Sequence, residues 1–127
     1  MNKSENHKQY DLEDRTLRFA KNTREFLKRL PRSLSNIEDA KQLVRSSGSV
    51  GANYIEANDS LSKKDFVMRI KICKKEAKES KYWLSLISVD DDLAKKTKDA
   101  LAQEATELMC IFGAILKKTD NEKNPKH

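Results

Sequence analysis

The sequence predicts an all-α protein: one domain folded as an antiparallel, up-down-up-down four-helix bundle. Three observations carry this reading. Apolar residues recur at helical spacing in four separate segments. Glycine and proline, on which tight turns depend, number only 3 and 2 in 127 residues. The breaks between segments are a few residues long, and connections that short make successive helices antiparallel neighbours. A single core of this size is stable without metal or disulfide staples.

The first helix is expected over 11–30. Asp11, Glu13 and Asp14 sit at its start, where the helix dipole favours acids. Leu12, Phe19, Phe26, Leu27 and Leu30 share one face, with Ala20 at its edge, and Pro31 ends the helix. Arg18, Lys21, Arg24, Lys28 and Arg29 occupy the other side. Residues 1–10 and 119–127 are polar and are expected to be flexible tails.

The second helix is expected over 36–58, capped by Ser35 or Asn36 with Glu38 and Asp39 in its first turn. Its inward stripe reads Ile37, Ala40, Leu43, Val44, Ser47, Gly51, Tyr54 and Ile55. The middle, SSGSVGAN, favours a loop by propensity, yet the stripe passes through it in phase. Small side chains there admit a close neighbour, and tertiary packing must outweigh two glycines at about 1 kcal/mol each. Off the stripe, Arg45, Ser49, Asn53 and Glu56 line up as a polar strip.

The third helix is expected over 62–89, with Ser62 as its cap. Residues placed at about 100° per step divide into three faces. Phe66, Ile70, Cys73, Ala77, Ser80, Leu84 and Ile87 form the core face. Lys63, Lys64, Lys71, Lys74, Lys75, Lys78 and Lys81 form a basic face. Met68, Ile72, Glu76, Glu79, Trp83 and Leu86 form a second apolar face threaded with two carboxylates. Side chains of that third face cannot enter the core that Phe66 and Leu84 enter. Left bare, they make an apolar patch large for a monomer, so a self-association surface is expected, with Trp83 as anchor. Arg45, Asn53 and Glu56 are expected beside it, and Arg45, Glu56, Glu76 and Glu79 are candidates for an ionic network within the bundle or across a subunit contact.

The fourth helix is expected over 92–118. Asp90, Asp91 and Asp92 open it, and Lys117 and Lys118 close it. Leu93, Ala100, Leu101, Ala105, Leu108, Ile111, Phe112 and Ile115 face inward.

The net charge of +6 is unevenly placed. Residues 11–32 hold seven basic and four acidic side chains, and residues 62–89 hold eight and three. The excess therefore lies on helices 1 and 3, diagonal in an up-and-down bundle. A lysine stripe of this kind is either a solvated face or a binding surface for phosphate backbones, salt-dependent and blind to sequence. The candidate nucleic-acid contacts are the seven lysines of helix 3 with Arg18, Lys21, Arg24 and Lys28. Lysine rather than arginine, with few exposed aromatics, argues against base-specific readout and base stacking.

No catalytic or metal motif is found. Di-iron bundles need Glu-x-x-His pairs, and the histidines, His7 and His127, both lie in the tails. Nucleotide-binding loops, a nucleophile elbow and HExxH are absent from the sequence. Cys73 and Cys110 lack metal spacing and read as two reduced thiols. The N-terminal stretch has no apolar signal-peptide core, and no apolar run approaches the ~20 residues of a membrane span. A cytoplasmic non-enzyme is expected, with no cofactor, no metal, no small-molecule substrate and no membrane partner. Its expected partners are further copies of itself, together with RNA or DNA, or alternatively an acidic protein held as on a scaffold.

Three stretches carry a family resemblance: YDLEDRTLRFAKNTREFLKRLP (10–31), RSSGSVGANYIEAN (45–58) and SKKDFVMRIKICKKEAKESKYWL (62–84). Together they resemble the 23S rRNA intervening-sequence protein family, the "four helix bundle proteins", over about residues 10–118. The resemblance implies a four-helix bundle, commonly a homopentameric ring, with no defined biochemical role. It maps the family's motif positions onto Ser47, Gly48, Gly51, Asn53, Glu56, Glu76, Glu79, Tyr82 and Trp83, none of them catalytic. A similar bundle serves as the accessory protein of diversity-generating retroelements, where a basic pentamer associates with reverse transcriptase and nucleic acid. The motifs here match the intervening-sequence group better.

Overall fold

The computed structural model describes residues 3–123, with side chains over 11–122. It contains four helices and, among the described residues, no strand: α1 (Lys3–Leu27), α2 (Leu34–Asn58), α3 (Lys63–Leu86) and α4 (Asp92–Lys123). α1 begins well before the expected Asp11, and α4 runs past the expected Lys118. Much of both expected tails is therefore helical; the rest, residues 1–2 and 124–127 with His127, lies outside the described residues. The polar ends lack an apolar stripe, so hydrophobic periodicity alone cannot register them as helix.

α1 ends three residues short of Leu30. Arg29 and Leu30 donate instead to Phe26 and Leu27 in a tightening turn, because proline disfavours the α conformation in the residue before it. Ser33, rather than Ser35 or Asn36, caps α2 and accepts from the Asn36 backbone N–H at 3.1 Å. Asn36 is thereby freed for another task. Its buried amide donates to the carbonyls of Pro31 at 3.1 Å and Ser88 at 3.0 Å, and its Oδ1 accepts from the Ser88 N–H at 3.1 Å. One side chain thus ties the α1–α2 connection to the α3–α4 connection.

α2 is continuous through SSGSVGAN, as the in-phase stripe predicts. The reason lies in both neighbours. A Cβ at Gly51 would stand 3.0 Å from Thr16 Oγ1 of α1. On the other flank Ser80 of α3 donates to Ser46 at 2.8 Å inside the core. α2 therefore sits close against two helices at once. This rotates its inward face relative to the expected stripe: Ser46, Val50 and Ala57 are buried, whereas Val44 and Ile55 are exposed.

One core cluster joins all four helices, centred on Phe19, Leu43, Val50, Ile70, Leu84, Leu108 and Phe112. Every expected core residue of α3 is buried or packs against this cluster. α1 also turns Thr16 and Thr23 inward, and their hydroxyls donate to the carbonyls of Glu13 (3.0 Å) and Phe19 (2.7 Å). α1 packs on α2 and α4, and α3 packs on α2 and α4, so α1 and α3 are diagonal. Leu93 of α4, expected inward, is 65 % exposed, and Ala100 is also exposed. Both line an open groove of about 550 Å³ between α1 and α4, where these two helices stand apart.

Candidate functional site

The chemistry-bearing side chains concentrate on α3. Ser62 accepts from the Asp65 N–H at 3.1 Å, and Asp65 places an acid in the first turn, so the helix starts firmly at Lys63. Lys63, Lys64, Lys71, Lys74, Lys75, Lys78 and Lys81 are all exposed. Among the described residues, none of the seven forms a salt bridge.

The basic side chains of α1 behave differently. Arg18 pairs with Asp14 at 2.9 Å and Lys28 with Glu25 at 2.8 Å. Arg24 donates to the carbonyls of Ala20 at 3.1 Å and Val44 at 3.4 Å, lying over Gly48. Lys21 is exposed. Arg15, outside the sequence-derived set, clamps α1 to α4 through Glu104 at 2.7 and 2.8 Å and Glu107 at 2.7 Å. The Glu104 hydrogen bond holds its guanidinium still further above an already high pKa. The two basic sets thus sit on helices that are diagonal in the bundle.

The carboxylates of α3 turn the other way, towards α2. Arg45 donates to Glu76 at 3.1 Å and to Glu79. Trp83 Nε1 donates to Glu79 at 3.3 Å. Asn53 accepts from Arg69 at 3.0 Å and donates to Ser49. Of the expected four-residue network, Arg45, Glu76 and Glu79 meet within one chain. Glu56 is exposed and, among the described residues, makes no salt bridge. Arg69, which a count of lysines passes over, makes a separate link from α3 to α2 through its bond to Asn53.

The expected association face is partly covered by its own chain. Glu76 is only 6 % exposed, and Ile72, Glu79 and Trp83 are half-buried. Met68 and Leu86 remain 52 % and 45 % exposed. Tyr82, on the same side of α3 as the lysines, is 56 % exposed, with its ring 5.1 Å from that of Trp83 at 69°. Few exposed aromatics were expected, and among the described residues Tyr82 is the one that is exposed. The signal was present in the spacing, since Tyr82 falls four residues after Lys78 on the same side of the helix.

The two thiols differ. Cys73 is buried in the core, and burial pushes its thiol up to about 12. Cys110 is exposed. Among the described residues there is no cluster of three or more His, Cys, Asp or Glu able to hold a metal ion. Nor is any described helix long and apolar enough to cross a membrane.

Residues 8–114 match the model of the family described as 23S rRNA-intervening sequence protein. The chain is also similar to a solved structure from Bacteroides thetaiotaomicron, described as a protein with unknown function from the S23 ribosomal protein family. That likeness has a TM-score of 0.74 and 29 % identity over 87 % of this chain and 98 % of the other. No curated protein matches it. With one family model spanning most of its length and the four helices in place, the chain belongs to the 23S rRNA-intervening sequence protein family.

Proposed function

We propose that this protein is a non-catalytic, homo-oligomeric bundle that binds the phosphate backbone of nucleic acid through the lysine face of α3. One observation carries the reading. All seven lysines project outward without a carboxylate partner among the described residues, while Glu76 and Glu79 of the same helix are drawn inward to Arg45. Acid and base on α3 are thus segregated to opposite flanks, which concentrates positive potential instead of cancelling it. Lysine delivers a point charge to phosphate and carries no base code.

The bundle in this reading has an up-and-down, antiparallel course. Supporting it, Glu13 near the start of the α1 side-chain contacts meets Asn58 at the end of α2 at 2.9 Å, and Arg69 early in α3 meets Asn53 late in α2. Self-association is supported by Met68 and Leu86, which lie bare on an otherwise lysine-rich helix. Assembly into a ring, pentameric as the family resemblance implies, multiplies the lysine faces and converts weak contacts into avidity.

Fluorescence anisotropy with labelled RNA and DNA at several salt concentrations tests the reading. Binding should weaken steeply as salt rises, and changing Lys71, Lys74 and Lys78 to Glu should abolish it with the helical content intact. Absence of any binding at low salt up to micromolar protein rejects it. Capture of an acidic protein that survives nuclease treatment, with no nucleic-acid binding, would favour the scaffold alternative.

A further inference from the structure

We propose that the outer stripe of α3 is a track for single-stranded nucleic acid, on which Tyr82 provides the stacking platform for a base. This rests on the nucleic-acid reading above and narrows it to a strand type. Lys71, Lys75, Lys78 and Tyr82 follow one another at intervals of four, three and four residues. That spacing aligns side chains along one stripe of a helix. All four are exposed. At 1.5 Å per residue the stripe extends about 16 Å from Lys71 to Tyr82, enough for several consecutive contacts along a strand.

The aromatic end is buttressed. Tyr82 meets Trp83 in an edge arrangement, and Trp83 is held in turn by its hydrogen bond to Glu79, which Arg45 of α2 also engages. Trp83 packs on the core cluster. The tyrosine ring therefore rests against a partner fixed to two helices, and loses less freedom when a base covers it. A phosphate-binding stripe ending in an exposed, supported aromatic is the combination used for sequence-tolerant single-strand binding. A duplex keeps its base faces inside the stack, so it can engage the lysines but not the ring.

The test compares a short mixed-sequence RNA with its duplex by anisotropy, using the full chain. Wild-type protein should prefer the single strand. Tyr82→Ala should lower single-strand affinity roughly tenfold, leaving duplex affinity and the salt slope unchanged. Tyr82→Phe should restore the preference, and Tyr82→Leu, which keeps apolar contact with Trp83 without a ring, should not. Lys75→Ala should weaken both ligands and lower the salt slope by about one unit. Equal affinities for strand and duplex, or single-strand binding untouched by Tyr82→Ala and Tyr82→Leu, overturn the stacking role while the phosphate-binding reading stands. No binding of either ligand overturns both.

Discussion

Ser80 of α3 donates a 2.8 Å hydrogen bond to Ser46 of α2 at a site where both side chains are fully buried. Ser46 in turn donates to Leu43 O at 3.4 Å, and Ser80 also contacts Glu76 O at 2.9 Å. Among the described residues no buried side-chain oxygen or nitrogen lacks a partner, and the small side chains bring the two helices together. Ser46→Leu should drive α2 from α3 and destabilise the protein by about 1–3 kcal/mol, read from the urea midpoint. Equal midpoints would show that the contact tolerates expansion.

The two glycines of the same motif should respond in opposite directions. At Gly51 a methyl group would stand 3.0 Å from Oγ1 and 3.2 Å from Cβ of Thr16, which is buried and held by its bond to Glu13 O. Gly51→Ala should destabilise the protein by about 1 kcal/mol or more. At Gly48 the methyl would meet only the mobile end of Arg24 at 3.2 Å. Gly48→Ala should stabilise by up to about 1 kcal/mol, the helix-propensity gain. Thermal melts of both variants decide it, and the same sign for both would contradict the geometry.

Arg45 neutralises a carboxylate that its own helix pair has buried. Glu76 keeps only 8 % of its side chain exposed, whereas Arg45 keeps 49 %. Arg45→Ala should cost about 2 kcal/mol, discounted from the range for fully buried pairs because the arginine is half in water. Glu76→Gln in the Arg45→Ala background should recover part of that loss. Urea unfolding of the two single variants and the double variant measures the coupling, and strictly additive losses would exclude it.

The thiols provide a pH-dependent readout. Native protein should expose one reactive thiol, Cys110, and protect Cys73 until unfolding. Because burial raises the Cys73 thiol from 9.0 to about 12, its neutral form is favoured in the fold. The resulting stability is complete below pH 9.0 and is lost as pH rises through about 12. Cys73→Ala should flatten this alkaline limb while lowering stability at neutral pH by about 2 kcal/mol through the cavity it leaves. Titration with a thiol reagent in native and denaturing buffer checks the first point, and alkaline melts the second.

Association should depend on the bare part of the α3 face. Met68→Asp together with Leu86→Asp should yield monomers in light scattering, since both side chains are exposed and their replacement spares the core. Trp83→Ala should act through a different route, because Trp83 also packs on the core and bonds to Glu79. It should lower the melting temperature as well. A wild-type protein that is monomeric at micromolar concentration would remove the basis of the ring.

The helical class, the four segments, and the core and lysine faces of α3 were legible in the amino-acid order alone. Its core face has a strict helical period and the lysines occupy the opposite side, so periodicity alone separates them. It also determined that α2 persists through its glycines, because the apolar stripe stays in phase across them. Packing between helices settles what periodicity leaves open. Apolar and small residues of α2 span more than one face, and only contact with Thr16 on one flank and Ser80 on the other selects Val50 and Ala57 for the core over Val44 and Ile55. Helix faces made Arg45, Glu56, Glu76 and Glu79 candidates for one network, but the register of α2 against α3 brings Arg45 to Glu76 and Glu79 within one chain and leaves Glu56 out. The same register steadies Trp83 edge-on to Tyr82, so the lysine face was legible from spacing, whereas its supported aromatic end emerged only when α2 and α3 were packed together.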